Sequence, residues 1–163
     1  MHMWVDSDAC PRIIKEVIQR AAQRLNIPTT FVANQGQQLP RLPIFRFVQV
    51  EKGQDVADMY IIKEARKGDL VITQDIPLAA ELVAAGIHAI NPRGELYTES
   101  NVRERLNLRD FMDQMRGAGY VTGGPPPLNE KDKQLFANSL DRLLTKLLRD
   151  AAREATAEPK SDT

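Results

Sequence analysis

The feature that most limits what this chain can become is an alternation. Short runs of apolar and β-branched residues take turns with stretches whose apolar residues recur at helical spacing. The runs cover residues 3–5, 29–33, 45–50, 70–73 and 88–90. After the first come Asp6-Ser7-Asp8 and Pro11, and then Ile13, Ile14, Val17, Ile18, Ala21 and Leu25 on one helical face. Proline suits the start of a helix, because the amide hydrogen it lacks would have had no partner there. Asp55 stands at an N-cap position ahead of Met59, Ile61, Ile62 and Ala65. Gln74-Asp75-Ile76-Pro77 leads into an apolar helix over 78–85 that Gly86 closes. Only the 36–43 stretch, rich in Gln and Pro, reads as a loop between strands. Strand–helix–strand units are crossovers, and crossovers join parallel strands. The expected fold class is therefore α/β, a mainly parallel central sheet with helices on both faces.

From Thr98 onward the character changes. A helix through Arg103 to residue 115, a flexible 117–127 segment rich in Gly and Pro, and a long helix over 129–153 form a C-terminal helical appendage. Residues 154–163 are polar and read as a disordered tail. A chain of 163 residues suits one domain, taken as 1–153. No internal repeat divides it. Hydrophobic residues at 42% exclude a chain that stays unfolded. Lys plus Arg matches Asp plus Glu at 22 each, so any contact with nucleic acid must be local. No uncharged apolar run reaches the roughly 18–20 residues of a membrane span. The single cysteine, Cys10, has no internal disulfide partner, and no secretory signal opens the chain, so a cytoplasmic location is expected.

Parallel α/β sheets bind ligands beyond the carboxyl ends of their strands. Asp6 and Asp8 follow the first strand, Asp75 follows the 70–73 strand, and Asp55 with Asp58 open the helix between. Carboxylates brought this close repel one another and raise each other's pKa unless a cation neutralises them. All-oxygen ligands suit Mg²⁺ or Mn²⁺, and the two isolated histidines, His2 and His88, offer no zinc set. A metal so held favours phosphodiester cleavage, because it activates water and stabilises charge on phosphoryl oxygen. Taken singly, Asp55 and Asp8 are also ordinary helix caps. Asp6 and Asp75, each directly after an apolar strand, are less easily explained that way.

Several segments together carry a family resemblance: residues 4–11 (Trp-Val-Asp-Ser-Asp-Ala-Cys-Pro), Val32-Ala33-Asn34-Gln35, Asp55-Val56-Ala57-Asp58, and 69–79 with Thr73-Gln74-Asp75-Ile76-Pro77 at their centre. Asn91-Pro92-Arg93-Gly94-Glu95, Arg109-Asp110-Phe111-Met112-Asp113 and Thr122-Gly123-Gly124-Pro125 extend it, so that it covers about residues 3–150. On these segments the chain resembles the bacterial YaiI/YqxD family, departing at Ser7, where alanine is usual. That family is similar to PIN and NYN-type nucleases. The resemblance implies a PIN-like fold, with Asp6, Asp55 or Asp58, and Asp75 in places that match the metal-binding aspartates of those nucleases, and supplies no biochemical role; joined to the acidic constellation, it gives the expectation of a metal-dependent phosphodiesterase, a ribonuclease. On that expectation Asp6, Asp58 and Asp75 are the catalytic aspartates and hold the metal with help from Asp8 and Asp55. Whether Asp55 or Asp58 is the principal ligand stays open.

Two other readings accompany this one. A PIN-like scaffold can serve as a non-catalytic RNA-binding or regulatory module. Asp-x-Asp after a first strand also occurs in haloacid-dehalogenase-type phosphatases, where the first aspartate attacks phosphate; here Ala9-Cys10-Pro11 follows, and no cap domain is evident. Asn34, Gln35 and Arg93 are candidate substrate-binding residues, and Arg103, Arg109 and Lys131 further phosphate contacts. Cys10 before a helix has the position of an activated thiol without a histidine partner, and packing is its plainer role. Thr122-Gly123-Gly124-Pro125 lacks the Lys-Ser/Thr of a phosphate-binding loop and reads as a linker.

Overall fold

A computed structural model describes residues 1–119 and 126–157. Five parallel strands form one sheet: β1 (Met3–Asp6), β2 (Thr29–Ala33), β3 (Phe45–Gln49), β4 (Leu70–Ile72) and β5 (His88–Ile90). Their order across the sheet is β3-β2-β1-β4-β5. The helices are α1 (Arg12–Leu25), α2 (Val56–Glu64), α3 (Ile76–Ala84), α4 (Glu99–Gly117) and α5 (Glu130–Ala157). The expected α/β class holds, and the pairing is parallel throughout the sheet. One isolated antiparallel bridge, Ile90 to Leu96, lies outside it.

The order explains which helix covers which face. The chain winds outward from β1 through α1 to β2 and by a loop to β3, then returns past β1 through α2 to β4 and proceeds through α3 to β5 in the opposite sense. Crossovers keep one hand, so reversing direction sends the helices to the other face. Side chains alternate along β1: Met3 and Val5 join a buried cluster with Ile14, Ile18 and Phe31, whereas Trp4 packs with Ile61, Leu78 and Leu82. Asp6 shares the side of Trp4, and so faces α2 and α3.

The C-terminal helix is built into the core. Phe136, Leu140, Leu143, Leu144 and Leu147 recur at helical spacing on one stripe of α5, and all are buried in the cluster that contains α1 and the inner strands. Without α5, the α1 face of the sheet would have one helix for a five-stranded surface. The helix also continues to Ala157, so residues 154–157, expected to begin a disordered tail, are helical instead. Residues 158–163 and the Thr122-Gly123-Gly124-Pro125 segment lie outside the described residues.

At the amino-terminal edge, Asp69 is buried and fully engaged. It accepts from the His2 amide at 3.0 Å, the Trp4 indole at 3.1 Å and the Arg66 amide at 3.0 Å. These bonds fix β1 against the entry to β4 and leave the other edge of the sheet to carry chemistry.

Candidate functional site

Between β1 and β4 the chain's winding changes direction, and the loops that leave these two strands diverge to opposite faces. Such a switch point opens a crevice beyond the strands' carboxyl ends. Asp6 is the last residue of β1, and Asp75 lies three residues past the end of β4. Thr73 joins them. Its hydroxyl donates to Asp6 Oδ2 at 2.9 Å and accepts from the Asp75 amide at 3.0 Å, while the Tyr97 hydroxyl donates to the Thr73 carbonyl at 3.1 Å.

Asp75 occupies the N-cap of α3, where Oδ1 accepts from the Leu78 amide at 2.8 Å. Capping and membership of the crevice coexist, because a carboxylate has a second oxygen to offer. Asp55 behaves differently. It precedes α2 in the left-handed region, at φ 63° and ψ 9°, and its side chain caps nothing. The expected N-cap is thus present by position and absent as a bond. Aspartate tolerates that backbone better than most residues, at a cost in conformational energy. The turn brings Asp55 beside Asp58 in the first turn of α2.

One carboxylate oxygen from each of Asp55, Asp58 and Asp75 lies within 4.8 Å of the other two. Asp58 is the most perturbed. Burial pushes its carboxyl up, and the charges of Asp75 and Asp6, a carboxyl–carboxyl hydrogen bond to Asp75, and the charge of Asp55 carry it to about 7. Asp6, only 8% exposed, is also raised, first by burial and then by Asp75 and Asp8, against the stabilising hydroxyl of Thr73. Like charges held together at one edge are the condition that a cation relieves. The donors are all hard oxygens, so the residues present fit Mg²⁺ or Mn²⁺ rather than a softer metal.

The remaining expected residues are less concentrated. Asp8 is exposed and stands outside the mutual 4.8 Å group; its Oδ2 accepts from the Asn34 amide at 2.7 Å and ties the β1 exit to the β2 exit. Asn34 is half-buried, and Gln35 is exposed. Arg93 is half-buried, pairs with Asp132 at 3.6 Å and donates to the carbonyl of Pro126. Its charge is therefore compensated before any substrate arrives. Arg103, Arg109 and Lys131 are exposed on α4 and α5. Cys10 is buried, and burial raises its thiol to about 12, which opposes the activated-thiol alternative.

Sequence reasoning gave Thr73 no role beyond ending a strand and Tyr97 none at all. Alternation carried a usable signal for Thr73. It shares the face of Val71, which packs with Trp4, and so had to meet Asp6 across the β1–β4 pairing. Tyr97 belongs to a loop after β5, and no local pattern announces its reach.

A family profile described as "Uncharacterized BCR, YaiI/YqxD family" matches residues 4–146. Among curated proteins, the chain is similar to a UPF0178 protein of Hydrogenovibrio crunogenus, 57% identical over 149 residues, which are 91% of this chain and 99% of that one. A UPF0178 protein of Proteus mirabilis is 58% identical over 144 residues, 88% of this chain and 95% of its own length. Another, of Thioalkalivibrio sulfidiphilus, is 57% identical over 146 residues, 90% and 99% of the two chains. No solved structure matches. With a profile that spans most of the described fold, and relatives matched over nearly their whole length, the chain belongs to the YaiI/YqxD family.

Proposed function

We propose that this protein is a divalent-metal-dependent phosphodiesterase, a ribonuclease with a PIN-like arrangement of its acidic residues. The observation that carries the reading is the convergence of Asp55, Asp58 and Asp75 within 4.8 Å at the β1–β4 switch point, with buried Asp6 beside them. Asp55, Asp58 and Asp75 would hold Mg²⁺ or Mn²⁺, Asp6 would add charge from beneath, and Asp8 would add charge from the rim. A metal in such a place supplies activation of water and stabilisation of phosphoryl charge.

The protein's own groups have separable tasks. Thr73 fixes the orientation of Asp6 and the backbone of Asp75 through one hydroxyl. Asp58, its pKa raised by burial and by the charges of Asp75, Asp6 and Asp55, is the ligand that a cation would relieve most. Asn34, at the exit of β2 and tied to Asp8 through its amide, and Gln35 beside it would contact the RNA backbone on the Asp8 side. Arg93 contributes by closing the β5 exit onto the start of α5.

The test is turnover of a mixture of single-stranded and structured RNA with Mg²⁺ or Mn²⁺, by wild type, Asp58→Asn and Asp75→Asn purified identically. Metal-dependent cleavage by wild type, lowered at least about a hundredfold in each variant, is the expected result. Cleavage equal in all three would mark a contaminant. RNA retention without cleavage in any would favour the binding-module alternative, in which the same edge holds nucleic acid without turnover.

A further inference from the structure

Beside the acidic edge lies a cleft of about 370 Å³, within the usual range of small-ligand sites. It shares a wall with the carboxylate crevice: Gln74 and Ile76, the residues on either side of Asp75, both line it. Tyr97, whose hydroxyl is bonded to the Thr73 carbonyl, lines it as well. The opposite wall comes from Pro127 and Leu128, just before α5. The walls are mainly apolar, and the charged side chains among them are Arg93, Glu95 and Arg105.

Its charges cancel. Arg105 reaches over the Tyr97 ring, 5.4 Å from guanidinium carbon to ring centroid, and pairs with Glu95. Arg93 pairs with Asp132. An electroneutral cleft with apolar walls and planar guanidinium groups suits a flat, uncharged heterocycle better than an anion. The hydrogen-bonding group at the mouth is Gln74. Its Nε2 donates to the Ala9 carbonyl at 2.8 Å, which braces the amide and leaves its oxygen for a ligand donor.

We propose that this cleft is a nucleobase pocket, which seats the base of the nucleotide next to the phosphate that the acidic edge receives. The inference rests on the phosphodiesterase reading for its neighbour, and on the cleft's own chemistry for its occupant. The base lies against Ile76 and the Arg105 guanidinium that covers the buried Tyr97 ring, the Gln74 oxygen accepts from an exocyclic amine or ring N–H, and the attached phosphate extends toward Asp75. Sequence preference at one position of the RNA follows from this arrangement.

The experiment titrates the four ribonucleosides, the four nucleoside 5′-monophosphates and inorganic phosphate into full-length protein, followed by backbone-amide NMR with and without Mg²⁺. The proteins are wild type, Gln74→Ala, Pro127→Trp and Asp75→Asn. Both cleft substitutions are at exposed positions, so the fold is kept and is checked by the same spectra. Expected is saturable binding of at least one nucleoside without metal, weakened at least about fivefold by Gln74→Ala and by Pro127→Trp and unchanged in Asp75→Asn. The matching monophosphate tightens with Mg²⁺ only where Asp75 is intact. No nucleoside binding, or binding that ignores both cleft substitutions, overturns the pocket even if RNA is cleaved. Nucleoside binding as expected, with no RNA turnover, supports the pocket and removes the phosphodiesterase reading instead.

Discussion

Thr73 shows how much of the crevice depends on one hydroxyl. Replacing it with valine keeps the shape and removes both a donor to Asp6 and an acceptor for the Asp75 amide. A buried carboxylate left without its donor costs about 1–3 kcal/mol. Thr73→Val is therefore expected to lower stability by that amount and to weaken Mn²⁺ binding by roughly 10–100-fold, as loss of an orienting partner does at metal sites. Thr73→Ser should restore both, and calorimetric titration with thermal melts reads them together. Asp58 gives the pH dependence. Its carboxyl ionises at about 7 in the folded protein and near 3.8 when free, so between those values the folded state binds the extra proton. Stability from this group is thus present at low pH and lost as pH rises toward 7 and beyond. Asp58→Asn should raise the Tm of the metal-free protein at pH 8 by about 2–4 °C, after allowance for solvent screening, and leave it nearly unchanged at pH 4. Added Mg²⁺ should raise wild-type Tm more at pH 8 than at pH 5. A variant that melts lower than wild type at pH 8 would contradict the crowding of charge around Asp58.

At the scale of elements, the sequence revealed the strands and helices because each carries its own period. Leu70, Val71 and Ile72 are consecutive and all buried, as a central parallel strand requires, and α1 alternates Ile14, Val17, Ile18 and Ala21 on its buried side. Those patterns are local. The place of α5 was not legible, since an amphipathic helix announces that it has an apolar face without saying what it will cover. Its Phe136 is fully buried against the α1 side of the sheet. Phe136→Ala should cost about 3–5 kcal/mol in denaturant unfolding. A loss below 1 kcal/mol would mean that α5 lies on the domain as an attachment. The acidic site was legible in the same uneven way. Asp6 and Asp75 follow strands, so topology alone sent them to one edge. The turn at Asp55, with its positive φ, was not readable from a sequence that makes Asp55 an ordinary cap.

For the whole molecule, the strand order converts a linear scatter of aspartates into a single crevice. Asp6 and Asp75 are 69 positions apart in sequence, yet their strands are neighbours, and α2 and α3 bring Asp55 and Asp58 to the same face. Among the described residues, no helix is long and apolar enough to cross a membrane. Net charge is zero, so attraction for a polyanion must come from the site rather than from the surface as a whole. A cation at the carboxylate edge would provide it. The central claim is therefore that these carboxylates form one divalent-metal site. The most direct measurement is calorimetric titration of Mn²⁺ into wild type, Asp55→Asn, Asp58→Asn and Asp75→Asn at pH 7.5, with each fold checked by circular dichroism. Saturable binding by wild type that each substitution weakens at least about tenfold is the expected result. Absence of binding in folded wild type, or affinity that survives all three substitutions, would contradict it.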